Sequence, residues 1–230
     1  MAKRAGKIFI LGFMIICAFL SAVQELSAAE KKHIVMIDPA HGGKEAGVNI
    51  SDKVGEKDIN LAIALALQKE LAKEGNLEVV LTRDSDKTVS CEDRRKNISK
   101  IKPAVFLSLH INSGFGKGAT GFEIYYPGFK EATDKTKKFK DGQKNTKNKF
   151  ISESVRFAQI IQKNFEVLFP RKGRGLREAD IPVLEGINVP AVAVEISFAS
   201  KPEEKKKLLS ADSQTEIAKN LAKSIKAFFR

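Results

Sequence analysis

Hydrophobic positions along this chain follow two rhythms that take turns. Short apolar, β-branched runs at residues 33–37, 77–81, 104–109 and 190–196 have the length of buried strands. GFEIYYPG, closed by Gly121 and Gly128, reads as one more. Between them lie stretches with helical spacing. NLAIALALQKELAKEG is apolar at Leu61, Ile63, Ala64, Leu65, Leu67 and Leu71, consists largely of strong helix formers, and places Gly75 as a C-cap. Residues 92–101 read as a helix stopped before Pro103, residues 152–168 as another, and residues 203–229 as one or two amphipathic helices. A basic, glycine-rich loop, PRKGRGLREAD, precedes residues 181–184. Strands alternating with helices predict an α/β fold: an open, mostly parallel twisted sheet flanked by helices, as in phosphorylase- and hydrolase-like domains. No internal repeat is present.

Two segments depart from this rhythm. Residues 1–29 carry Lys3, Arg4 and Lys7 ahead of an apolar run from Ile8 to Leu20, then Ser27-Ala28-Ala29, the three parts of a secretory signal peptide. A retained anchor is the alternative, but the run falls short of the roughly 20 apolar residues a spanning helix needs. The membrane is then met only transiently, through the leader. Ile16 before Cys17 is bulky where a lipoprotein signal has a small residue. Residues 129–150 are rich in Lys, Thr and Asn and too poor in apolar positions to bury a face, which predicts an exposed, mobile insertion. The remainder, residues 30–230, is enough for one well-buried domain.

Charge narrows the partners. The chain carries 40 basic and 28 acidic residues, a formal +12. Lys outnumbers Arg, the aromatics are mostly Phe, and no nucleic-acid-binding signature is present. An anionic envelope polymer therefore fits better than nucleic acid. Cys91 alone remains after the leader, so no intrachain disulfide forms.

Candidate chemistry sits where apolar runs end. His41 follows IVMIDPA, His110 ends VFLSL, and Glu195 ends AVAV. The carboxyl ends of parallel strands share one edge, so these side chains are expected to converge in one crevice. Two imidazoles and a carboxylate are a common zinc ligand set. Glu56, at the start of the first long helix, is the candidate third ligand, with Asp38 and Glu45 as competitors on position alone. Glu195, flanked by apolar residues, suits a general base. His33 starts its strand at the opposite edge and is given no role.

Six ordered blocks, IVMIDPAHGG, GEKDINLAIA, VVLTRDSD, FLSLHINS, GFEIYY and VPAVAVEISFASKPEE, resemble the zinc-dependent N-acetylmuramoyl-L-alanine amidases of the AmiC-like class. The resemblance implies an open α/β fold, a Zn²⁺ ion held by His41, Glu56 and His110, and Glu195 as catalytic glutamate. It implies cleavage of the amide between the lactyl group of N-acetylmuramic acid and L-alanine in peptidoglycan, outside the cytoplasm at the cell wall. Arg83, Asn112 and Arg177 fall in or beside these blocks as candidate substrate contacts. Some relatives carry a regulatory segment after the GFEIYY strand that covers the zinc until a partner displaces it. Here the segment is short, Lys-rich and poor in apolar residues, so a solvated loop is expected rather than a blocking helix, and a protein activator is only the partner that the resemblance raises. Two features depart from the family. Ala40 stands where a glycine is usual, which a small side chain tolerates if φ stays negative. Ile-Ser-Phe-Ala-Ser follows Glu195 where a Gly-Phe-Ile/Leu-Ser/Thr-Asn run is typical. A non-catalytic wall-binding protein and a zinc carboxypeptidase acting on stem peptides are the alternative readings.

Overall fold

The computed structural model describes residues 32–114, 119–128, 141–170 and 172–230. The candidate leader and residues 129–140 of the expected insertion lie outside them. Six strands make one sheet: β1 (His33–Pro39), β2 (Leu77–Leu81), β3 (Val105–Asn112), β4 (Phe122–Tyr126), β5 (Gly173–Glu178) and β6 (Ala191–Phe198). Their spatial order is β2-β1-β3-β6-β4-β5. β1 runs parallel to β2 and β3, and β3 runs parallel to β6. β4 is antiparallel to β6 and carries β5 parallel to itself. The sheet is thus mixed but mostly parallel, and the carboxyl ends of β1, β3 and β6 share one edge.

Alternation along the strands divides the sheet into two faces. Val35, Ile37, Val105, Leu107, Leu109, Val192 and Val194 turn to one side and build the larger core. Three helices cover that side: α1 (Glu56–Leu71), α3 (Asp141–Leu168) and α5 (Ala211–Phe228). On α1 the buried positions Ile59, Ile63, Leu67 and Leu71 recur every four residues, one stripe of the helix. Phe122, Phe165 and Phe169 meet within this core, the first two edge-to-face at 5.3 Å between ring centroids. α4 (Pro202–Leu208) precedes α5.

On the other side the apolar cover lies toward the amino ends of the strands. Met36, Phe106, Ala191 and Ala193 pack there against Ile98 of α2 (Cys91–Ile101) and against Val183 and Leu184 of a short 3₁₀ turn. Nearer the carboxyl ends the same face turns polar, through Asp38, Ser108, His110, Glu195 and Glu123. Of these, Asp38, Ser108 and Glu123 are buried, while His110 and Glu195 are partly accessible.

Three expectations are corrected. The helix expected from residue 152 begins at Asp141, so residues 141–150 of the expected insertion are helical. Lysine is a good helix former, and extending a nucleated helix adds a hydrogen bond for each residue fixed. The glycine-rich loop contains β5, whose mostly polar side chains are tolerated because it is an edge strand pairing only with β4. Gly75 is not the cap of α1. Ala72 ends the helix in right-handed geometry, its N–H bonded to Gln68 O at 2.9 Å, so no left-handed residue is needed. Residues His33–Arg230 form one compact unit. Among the described residues no helix is long and apolar enough to cross a membrane.

Candidate metal centre and active site

β1 ends at Pro39 and delivers the chain into a loop whose first ligand candidate is conformationally unusual. His41 has φ +63, the left-handed region, while Ala40 before it does not. The condition set for an alanine at position 40 is thus met, and the left-handed conformation falls on the histidine. Such a backbone costs about 1–2 kcal/mol in an L-residue, and two buried arginines hold it. Arg94 Nη2 donates to His41 O at 2.8 Å, and Arg83 Nη2 donates to Ala40 O at 3.0 Å.

Glu56 opens α1 and is 2 % exposed. Its Oε2 accepts from Val48 N at 3.0 Å and its Oε1 from Ile111 N at 2.9 Å. The same two oxygens face the histidines: His41 Nε2 lies 3.2 Å from Oε2 and His110 Nδ1 lies 3.5 Å from Oε1. The imidazoles stand edge-to-face, 5.8 Å between centroids. Burial opposes ionisation of Glu56, but hydrogen bonds from His110, His41 and Ile111 outweigh it and hold the carboxyl far below its ordinary value. His41 is shifted up by its hydrogen bond to Glu56, against the effect of burial.

The outward nitrogens are engaged as well. His41 Nδ1 lies 2.8 Å from Glu45 Oε1, and His110 Nε2 lies 3.0 Å from Ser108 Oγ. Glu45 thus pairs with a candidate ligand and stands outside the His41–Glu56–His110 cluster. Asp38 is likewise withdrawn, 1 % exposed and ion-paired with Arg94 Nη1. With its outer nitrogen donating, a neutral imidazole presents a lone pair inward, toward a carboxylate that also only accepts. An inward proton or a cation satisfies that arrangement. One ligating atom from each of His41, Glu56 and His110 lies within 4.8 Å of the other two. Two imidazoles and a carboxylate at this spacing fit a divalent metal with room for a fourth ligand.

Gly47 lets the loop close over the site. At φ +68, an added Cβ would stand 2.5 Å from Glu56 Oε2 and 2.8 Å from His41 Cδ2.

Glu195 on β6 sits in register with His110 on β3. Its Oε2 is buried with no hydrogen-bond partner. Burial first, then the nearby charges of Glu56 and Glu123, push its carboxyl up to about 7. Glu123 of β4 lies opposite Glu195 on the other side and is 4 % exposed. It accepts from Arg174 Nε at 2.8 Å, Tyr125 OH at 2.6 Å and Asn112 Nδ2 at 3.3 Å, and Arg177 Nη2 lies 3.5 Å away. Directly beyond the His110–Glu195 pair the β3–β6 register slips, so Asn112 faces Phe198. Such bulges re-aim side chains beside functional sites. Phe198, from the segment that departs from the family pattern, is buried with the Arg174 guanidinium 5.2 Å from its ring centroid.

The substrate-contact candidates part company here. Asn112 and Arg177 lie on the Glu123 network beside Glu195, and Arg177 is half-exposed. Arg83 is 1 % exposed and donates to the carbonyls of Pro39, Ala40, Lys57 and Ser85. Its place is that of a loop organiser, not of a group facing solvent. Sequence reasoning missed Gly47, Arg94, Ser108 and Glu123. Two of these left a signal, since Ser108 and Glu123 interrupt otherwise apolar strands.

Residues 35–227 match the model of the N-acetylmuramoyl-L-alanine amidase family. Over 219 aligned residues the chain is 26 % identical to the N-acetylmuramoyl-L-alanine amidase AmiC of Escherichia coli O6:H1, covering 85 % of this chain and 52 % of that protein. It therefore spans about half the length of that relative. It is 30 % identical to the N-acetylmuramoyl-L-alanine amidase CwlM of Bacillus licheniformis, covering 85 % of this chain and 68 % of that one. Among solved structures, the catalytic domain of the amidase CwlV from Bacillus (Paenibacillus) polymyxa superposes with a TM-score of 0.72 at 31 % identity, covering 86 % of this chain and 98 % of that one. With its fold, its His-Glu-His cluster and a family match over nearly all the described residues, this chain belongs to the N-acetylmuramoyl-L-alanine amidases.

Proposed function

We propose that this chain hydrolyses the amide between N-acetylmuramic acid and L-alanine in peptidoglycan, with zinc as its metal. His41 Nε2, the Glu56 carboxylate and His110 Nδ1 would hold the ion, which when bound supplies Lewis acidity toward the scissile carbonyl. The remaining work falls to protein groups. Glu195 Oε2 takes a proton from the attacking water and returns it to the departing alanine nitrogen, leaving a peptide with a free amino terminus and an intact glycan.

One observation carries this assignment. Glu195 Oε2 is a buried oxygen without a hydrogen-bond partner, beside a candidate ligand, on a carboxyl pushed up to about 7. A carboxyl with that value exchanges a proton readily near neutrality. An oxygen with no structural bond to keep is free to do so. Asn112 and Arg177 are assigned to the substrate, tied through Glu123 to the strand beside Glu195. Export through residues 1–29 would bring the enzyme to its polymer, and the basic surface would favour an anionic wall.

The test is the isosteric Glu195→Gln variant loaded with zinc. It should bind the metal as the wild type does and release peptides from purified sacculi about 10²- to 10⁴-fold more slowly, the usual scale of general acid–base catalysis. Release at the wild-type rate would remove Glu195 from the mechanism.

A further inference from the structure

The outer nitrogen of His110 leads into a buried chain of polar groups that the proposed hydrolysis does not use. Ser108, on β3 two residues before His110 and so on the same face, is fully buried. Its Oγ lies 3.0 Å from His110 Nε2 and 2.8 Å from Asp38 Oδ2. Asp38 Oδ1 accepts from Thr82 Oγ1 and is ion-paired with Arg94 Nη1. Arg94 itself is 3 % exposed and also donates from Nε to Val89 O at 3.0 Å.

For a neutral His110, donor and acceptor accounting leaves one arrangement. Arg94 only donates, and a carboxylate paired with it only accepts. Ser108 has a single O–H, and Asp38 can take it but cannot give one back. With that proton committed, the Ser108 oxygen accepts, so His110 must donate from Nε2. A neutral ring then has its lone pair on Nδ1, 3.5 Å from Glu56 Oε1, and a second proton on that nitrogen or a cation is what makes its contact with Glu56 favourable. Orphaning any member would leave a buried polar group unsatisfied, which fixes the direction of the whole chain.

We propose that Arg94, Asp38 and Ser108 are positioning residues that lock His110 in the Nε2–H tautomer, with Nδ1 turned to the metal position. The inference rests on the metal-site reading for its consequence, though not for its geometry. It assigns a task to an otherwise expensive feature, a buried ion pair under the sheet edge. A second link runs through the same arginine, because Arg94 Nη2 donates to His41 O at 2.8 Å. Both imidazoles therefore hang from one ion pair. Groups of this kind orient histidine ligands and raise their basicity, and losing one typically weakens metal binding 10- to 100-fold.

Long-range proton–nitrogen NMR of the metal-free protein near pH 8, where an ordinary imidazole is neutral, reads the tautomer directly. Wild-type His110 should carry its proton on Nε2. In Ser108→Ala that preference should disappear while the fold, followed by circular dichroism, persists. Competition with a chromogenic chelator should then show zinc held about 10- to 100-fold more weakly by that variant. A wild-type His110 protonated on Nδ1 and bare on Nε2 overturns the proposal without recourse to any variant. So does a folded Ser108→Ala protein with the wild-type tautomer and zinc affinity. A wild type with the Nε2–H tautomer that binds no zinc would instead overturn the metal reading and leave the relay standing.

Discussion

His110 and Glu195 face each other in register on the adjacent parallel strands β3 and β6, and the register slips directly beyond them. The pairing puts a candidate ligand and a buried, unbonded carboxylate oxygen on the same face of the sheet. Sheet geometry, rather than a flexible loop, sets the spacing between the candidate ligand and the candidate base.

A buried carboxyl shifted upward destabilises the folded state as pH rises. The unfolded chain ionises Glu195 from its ordinary value near 4.5, whereas the folded chain resists until about 7. Stability tied to this group is therefore whole below 4.5 and is lost as pH climbs through 7. Metal-free Glu195→Gln should match the wild type at pH 4.5 and melt at a higher temperature at pH 8. Parallel melting curves across that range would remove the burial argument.

Glu56 and His41 set an opposite pair of limits on the metal-free protein. Glu56 is depressed, so its contribution is present above 4.5 and lost as pH falls. His41 is raised, so its contribution is present below 6.5 and lost as pH rises through its folded value. Zinc at the proposed site would replace the inward proton, so the gain in Tm on adding zinc should grow as pH rises toward the folded value of His41 and level off above it. Calorimetry with and without zinc measures it; a gain independent of pH would contradict the shared site.

Gly47→Ala should lower zinc affinity by placing a methyl against Glu56 and His41. Gly186 is the matched control. It has φ +70 but nothing within 4 Å of an added Cβ, so Gly186→Ala should cost about 1 kcal/mol of backbone strain and leave zinc binding intact. Equal effects on zinc at both positions would show that Gly47 serves the loop alone.

Arg83 and Arg177 should separate cleanly. Arg83→Gln strips donors from buried carbonyls and should cost about 3 kcal/mol or more in urea unfolding. Arg177→Gln should unfold like the wild type and raise KM for soluble muropeptides with kcat retained, the mark of lost substrate binding. An unchanged KM would take Arg177 out of the substrate site.

The candidate site residues were legible in the sequence because each is a polar residue beside or within an apolar run. His41 follows the end of β1 and Glu56 opens a helix, whereas β3 runs on past His110 to Asn112 and β6 past Glu195 to Phe198, so the expected strand ends are polar residues within apolar strands. What supports them was not legible in the same way. Arg94 reaches Asp38 from 56 positions away, and nothing local marks it out from the neighbouring Arg95. Gly47 is one of several glycines in its loop, and only the approach of Glu56 gives it a task. β5 escaped notice because an edge strand with Gly and Arg at its exposed positions has no hydrophobic alternation to detect. Periodicity records burial; it does not record which polar groups meet across the sheet.

The measurement closest to the central claim is mass spectrometry of the soluble products after purified peptidoglycan is incubated with the zinc-loaded protein, with and without a chelator. The account predicts peptides with a free amino-terminal L-alanine, glycan chains left whole, and no release once zinc is stripped. Release of a single terminal amino acid from stem peptides still attached to muramic acid, or release indifferent to the chelator, would contradict it.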